Sequence, residues 1–352
     1  MAYTTIDDPT IYFNTVLYTG NGSARTISGV GFEPDWVWVK DRDATNYHYL
    51  YDSVRGNNLN LFSNDSSAEV NVTSGQNGGG IGSQASDGFN IVAGNVNTNN
   101  VNTSSNTYAS WNWKAGGSAS SNSDGSITST VSANTTAWFS IVSYTGAGGS
   151  SNVGHGLGVA PNFIIAKNKD SSSLNWFVSN DAIGWTKRLK LDGTNNAATN
   201  VAFGSSNPDS TKFYLQDNNL NTSGQAHIAY CFAEKKGYSK FGKYTGNGNA
   251  DGPFLYLGFK PAFFLVKNIT NAGYDWELRD NKRDSYNPVG YRLEANTSDA
   301  ESSYYAEYDF VSNGIKIKQN GNNYNTSGAS YIYMAFAESP FVNSNGVPNN
   351  AR

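Results

Sequence analysis

Asn102–Ala115 reads NTSSNTYASWNWKA, and the stretch returns without a gap as NTSGQAHIAYCFAE at Asn221–Glu234 and NTSGASYIYMAFAE at Asn325–Glu338. After the turn-forming Asn-Thr-Ser each copy alternates with a period of two, the geometry of a pleated strand in which i and i+2 share a face. Ala109, Trp111 and Trp113 correspond to Ile228, Tyr230 and Phe232 and to Ile332, Met334 and Phe336, which marks that face as core. The other face carries Tyr108, Ser110 and Asn112, then His227, Ala229 and Cys231, then Tyr331, Tyr333 and Ala335, and is smaller or more polar. The chain therefore repeats itself, and the repeat is the first fact any fold must satisfy.

Working outward, Tyr18-Thr19-Gly20 recurs as Tyr144-Thr145-Gly146 and Tyr244-Thr245-Gly246, each a strand running into a turn. A G-x-x-P element follows at Gly31–Pro34, Gly158–Pro161 and Gly258–Pro261, and six residues later each copy reaches a lysine, Lys40, Lys167 or Lys267. Proline restrains its own φ and pushes its predecessor to extended backbone, so it opens a strand well. In the segment that follows, Trp36 and Trp38 face one way and Val37 and Val39 the other, and Phe163 and Ile165 oppose Ile164 and Ala166. Both faces are apolar, as expected of a strand covered on both sides. ASDGFNIV around Phe89 and STKFYLQD around Phe213 read as further strands between turn clusters.

The composition agrees. There are 37 Gly and 14% aromatic residues against 15% charged residues in 352, which disfavours long helices and suits strands and turns. The expected architecture is all-β: three tandem antiparallel β-sandwich modules at 12–117, 138–237 and 238–340. A segment 1–11, a Ser/Gly-rich linker 118–137 and a tail 341–352 complete the chain.

The same composition limits function. A net charge of −4 without a dense Lys/Arg cluster lacks the footprint of a nucleic-acid binder. The single Cys231 excludes an intramolecular disulfide and a thiolate zinc site. MAYTTIDDP at the start is unlike a signal peptide, and no apolar run is long enough for a transmembrane helix, so a soluble product made in the cytoplasm is expected. His48, His155 and His227 have no metal-ligand spacing, and no nucleophile elbow, P-loop or dinucleotide fingerprint occurs. No cofactor or metal is expected. Glycoside hydrolysis needs two carboxylates astride a sugar bond; Asp41, Asp43, Asp52, Glu277 and Asp280 are available, but none recurs in all copies, and they read as solvated loop acids. Asp41 with Asp43, or Asp65 with Glu69, read the same way against calcium.

Aromatic residues offer the better route to a ligand, because an exposed ring stacks on the apolar face of a sugar. Trp36, Trp38, Trp111, Trp113 and Trp138 lie in strand patterns and read as core. Tyr47, His48 and Tyr49, Trp185, and Tyr304 with Tyr305 stand in less regular polar surroundings and are the candidate contact residues, for glycan or for a neighbouring subunit.

The phrases MAYTTIDDP, GFEPDWVWVKDRD, WNWKAGG, YTGAGGSSNVGHGLGVAPNFIIAK and CFAEKKGYSKFGKYTGNGNADGPF resemble a tandem-repeat family of tail-fibre or lectin-like virion structural proteins of marine tailed bacteriophages. The resemblance spans nearly the whole chain. It implies a jelly-roll or concanavalin A-like sandwich, a place in the virion beside other tail or capsid proteins, and no catalytic motif. From it we expect a fibre or projection that contacts host-surface polysaccharide, assembled as a homo-oligomer such as a trimer. A capsid or tail decoration protein is the alternative, and a polysaccharide depolymerase the second.

Overall fold

A computed structural model describes residues 2–73, 79–93, 100–200 and 202–350, with the backbone alone at 304–306. It is all-β and its named strand pairs are antiparallel. In the first repeat the main sheet runs Phe13–Thr19, Thr107–Trp113, Trp36–Asp41, Tyr49–Asp52, Leu59–Phe62, Val70–Asn71, beside a small sheet of Arg25–Ser28, Gly88–Ala93 and Gly79–Ala85. The second has the same order, Phe139–Thr145, Ala226–Phe232, Phe163–Asn168, Phe177–Asn180, Lys187–Lys190, Ala198–Thr199, with Ser151–Gly154 and Lys212–Leu215 as its small sheet. In the third, Ser239–Thr245, Ser330–Pro340, Phe259–Asn268, Trp276–Asp280 and Val289–Glu294 keep this order, and Ser302–Val311, Gly314–Ile317 and Phe254–Tyr256 continue it as one eight-stranded sheet; the fold includes a nearly closed barrel. The stretch read as a linker, 118–137, is part of the fold: Ser120–Asn122 and Ser129–Asn134 add two strands to the second sheet.

The two apolar faces of each central strand go to different cores. Trp36, Trp38, Trp111 and Trp113, Phe163, Ile165, Tyr230 and Phe232, and Phe263, Leu265, Met334 and Phe336 form one cluster shared by all three repeats. Val37, Val39, Tyr49 and Tyr51 turn instead to Ile81 and Phe89; Ile164, Ala166 and Phe177 to Val153 and Phe213; Phe264 and Val266 to Tyr308 and Ile315. Aromatic contacts link every pair of repeats: Trp36 with Tyr230 at 4.4 Å, Trp113 with Phe263 at 5.7 Å and Phe232 with Phe336 at 5.9 Å. Each buried large side chain contributes about 1.5–3 kcal/mol relative to exposure, so the shared face is a principal source of stability.

Polar contacts follow the same ring. The backbone N–H of Glu69 donates to Lys169 O at 2.8 Å, that of Ala197 to Ile269 O at 3.1 Å and that of Glu301 to Arg42 O at 2.7 Å. The first repeat thus bonds to the second, the second to the third and the third to the first. Trp176 Nε1 donates to Phe62 O at 2.7 Å and Trp276 Nε1 to Lys190 O at 2.8 Å, closing two further links in the opposite sense.

The repeated motifs hold each sheet's end together. Tyr18, Tyr144 and Tyr244 donate their hydroxyls to Val101 O, Leu220 O and Tyr324 O at 2.7, 2.8 and 2.6 Å. Asn102, Asn221 and Asn325 each accept from the backbone N–H just beyond the Tyr-Thr-Gly triplet, at 3.0, 2.9 and 2.9 Å. A Cβ on Gly20, Gly146 or Gly246 would meet the carbonyl oxygen of Thr103, Thr222 or Thr326 at 2.0, 2.2 or 2.3 Å, so this close approach needs glycine. The recurring lysines are buried and donate to backbone carbonyls, Lys40 to Asp41 O and Ala44 O, Lys167 to Ser66 O and Leu174 O among others, and Lys267 to Tyr274 O. Burial lowers each of these ammonium groups to about 8.

Candidate functional site

Of the residues picked out by surroundings, Tyr47 alone is shown to be exposed, at 42%, stacked on Phe62 at 4.9 Å. His48 is fully buried and its Nδ1 accepts from Trp38 Nε1 at 2.8 Å; burial holds its pKa well below the ordinary imidazole value. Tyr49 is buried edge-on to Phe62 and Trp185 edge-on to Phe203, with Trp185 Nε1 donating to Asp181 Oδ1 at 2.8 Å. These three are therefore packing residues. NYHYLYD looks like a polar loop but mostly forms the partner strand of Trp36–Asp41, and its alternate side chains enter two cores. The side chains of Tyr304 and Tyr305 lie outside the described residues.

Of the five acids read as solvated, Asp43 is exposed as expected, and the other four are not. Asp41, Asp52, Glu277 and Asp280 are fully buried. Asp41 accepts from Asn46, Asn106 and Tyr108 at 2.8, 2.8 and 3.1 Å. Asp52 pairs with Arg55 and accepts from Tyr230 OH of the second repeat at 2.7 Å. Asp280 pairs with Arg283 at 2.5 Å and accepts from Trp111 Nε1 of the first repeat at 3.1 Å. At the equivalent place in the second repeat Asn180 replaces the acid and Ile183 the arginine. Glu277 and Glu307 both accept from Arg279, and Glu277 also from Arg292 and Asn323. These carboxylates are held by internal donors, and among the described residues no group of three or more His, Cys, Asp or Glu is placed to hold a metal ion.

Trp138, read as core, packs against the second repeat's own cluster but only in part, and its other side is what the reading by periodicity missed. Its counterparts are Tyr12, which packs against the shared cluster, and Tyr238, which is buried in it. The carbonyl oxygens of all three accept from the sheet, Tyr12 O from Lys114 N–H, Trp138 O from Ala233 N–H and Tyr238 O from Ala337 N–H, at 2.9, 2.9 and 2.8 Å. Trp138, however, has φ +56°, a region that bulky side chains rarely enter and that costs of order 1–3 kcal/mol. It is only half-buried and lines a cleft of about 650 Å3 with Ala2, Tyr3, Thr4, Thr5, Asn162, Glu234, Lys235 and Lys236.

The walls of this cleft are fixed. Thr4 Oγ1 donates to Lys236 O at 2.8 Å and Tyr3 OH to Gly258 O at 2.9 Å, which ties the N-terminal segment across the junction of the second and third repeats. Gly237, at φ +79°, leaves room for Thr4, whose Cβ would lie 2.8 Å from an added Cβ. Asn162 accepts from Glu234 N–H at 2.6 Å and donates to Asp181 at 2.5 Å, so its amide is oriented. Burial raises the Glu234 carboxyl above the usual range. An aromatic face beside an oriented amide, a carboxyl and ammonium groups suits a ligand with an apolar face and a polar edge. A second recess, of about 530 Å3 at Glu33, Asp35, Ser53, Gln84 and 114–119, has no aromatic wall.

A family model described as "Domain of unknown function (DUF7483)" matches residues 8–340, from the opening of the first repeat to the last strand of the third. The chain belongs to the DUF7483 family. Neither the curated proteins nor the solved structures yield a match. The DUF7483 match includes Trp138, Asn162, Glu234, Lys235 and Lys236 but begins after Ala2–Thr5. One wall of the cleft is therefore supplied from outside the DUF7483 region.

Proposed function

We propose that this chain is a non-catalytic virion protein of a tailed bacteriophage, projecting from the particle among other tail or capsid proteins, and that the cleft at Trp138 holds a glycan of the host surface. The virion setting rests on the resemblance in sequence phrases. The glycan reading rests on Trp138: at this one place in three an aromatic residue leaves the shared core, in a disfavoured backbone conformation, to wall a cleft. Strained residues that the surroundings hold in place cluster at ligand sites. We also read the repeats as jelly-roll-like modules, the first two with separate main and small sheets and the third with both joined in one sheet, the second module beginning at Ser120–Asn122 and not at 138. Because the three already close a ring, a single chain supplies the threefold bundle that a trimeric fibre builds from three.

The test is titration of the purified chain with host-surface saccharides, followed by tryptophan fluorescence. Binding should be lost, by at least about tenfold (~1.4 kcal/mol), in Trp138→Ala, while the variant keeps the strand-rich circular dichroism and cooperative melting of the parent. Equal affinity in Trp138→Ala would remove the cleft from the account.

A further inference from the structure

We propose that the ligand of this cleft is a polyanionic polysaccharide, bearing carboxylates or sulfates, laid along Trp138, Tyr3 and Tyr256. This rests on the reading of the cleft as a glycan seat and adds the charge of the glycan. Each of the three rings has an ammonium group over it: Lys235 Nζ lies 4.2 Å from the centre of Trp138, Lys236 Nζ 4.2 Å from Tyr3 and Lys240 Nζ 5.8 Å from Tyr256. The hydroxyls of Tyr3 and Tyr256 are 3.2 Å apart, which makes the last two rings continuous.

The charge here runs against the whole. The protein carries −4, yet 234–243 holds Lys235, Lys236, Lys240 and Lys243 against the single acid Glu234. Among the described residues no ion pair engages these four lysines, whereas Arg42, Arg55, Arg279 and Arg283 each have a carboxylate partner. Lys235 is also partly desolvated, and burial lowers its pKa. An ammonium held over a ring keeps donors directed outward, and pairing with an anion is stronger where water is partly excluded. Neutral sugars would use the rings alone. An acidic chain uses rings and ammonium groups together, with each charged sugar meeting one ring–lysine pair.

The experiment compares dextran, alginate, a sulfated galactan and single-stranded DNA for binding to the full chain, at 50 mM and 500 mM salt. Alginate or the sulfated galactan should bind at least tenfold more tightly than dextran and weaken in high salt; which of them binds identifies carboxylate or sulfate as the recognised group. Lys235→Gln with Lys236→Gln should remove that preference while the melting temperature holds. Dextran binding equally well, and lost in Trp138→Ala, would overturn the charge proposal and leave the glycan seat standing. No binding of any polysaccharide would sink both. DNA bound as tightly as the acidic polysaccharides would show a general polyanion surface and overturn the proposal.

Discussion

His227 lies flat on Tyr144, with ring centres 5.1 Å apart and planes 10° from parallel, where the other repeats place Tyr108 on Tyr18 and Tyr331 on Tyr244. The two tyrosine hydroxyls accept from Thr103 and Thr326 N–H at 2.8 Å. Burial holds all three imidazoles below the ordinary value, His227 down to about 4. In the unfolded chain they titrate near 6.5. Between pH 6.5 and 4 the unfolded state therefore binds protons that the folded state refuses, and stability falls as pH drops through that window. Melting temperatures measured from pH 7.5 to 4.5 should show this fall. His227→Tyr, which borrows the residue of the other repeats, should fold and flatten the curve; an unchanged pH profile would remove His227 as a contributor. A structural role for His227 could be read from its place on the less apolar strand face. Trp138 could not, because its spacing fits the strand it leaves, and neither could Tyr3, which has no periodic context.

At the scale of elements, alternation identified the strands because burial on both faces leaves a mark in Trp36-Val37-Trp38-Val39. It did not say whose core each face joins, since Trp38 and Val39 are equally apolar and only the ring of three repeats separates them. The uneven acids have their explanation in the same ring. Asp52 and Asp280 stand where the neighbouring repeat supplies Tyr230 or Trp111 as donor, and Asn180 stands where the corresponding residue is Met334. Likewise Glu69 meets Lys169 and Glu301 meets Arg42, while the third link joins Ala197 to Ile269. Charge is present or absent in matched pairs across the junctions. Asn180→Asp should therefore bury an unpaired carboxylate and cost about 3–5 kcal/mol. Adding Ile183→Arg, the partner present at Arg55 and Arg283, should restore most of it. Denaturant titration of the single and double variants measures this coupling, and additive effects would contradict the pairing.

For the whole molecule, the decisive feature is that no repeat owns all of its core. Removing one repeat would expose Trp36, Phe163 or Phe263 faces that are buried only because the ring closes. The cleft inherits this arrangement, since its walls come from the N-terminal segment, from the second repeat and from the chain leading into the third. Independent modules on linkers would instead unfold one by one. Scanning calorimetry of the full chain tests this most directly. A ring with a shared core should melt in one transition whose calorimetric and van't Hoff enthalpies agree; three separable transitions, each carrying about a third of the enthalpy, would show that the repeats fold independently.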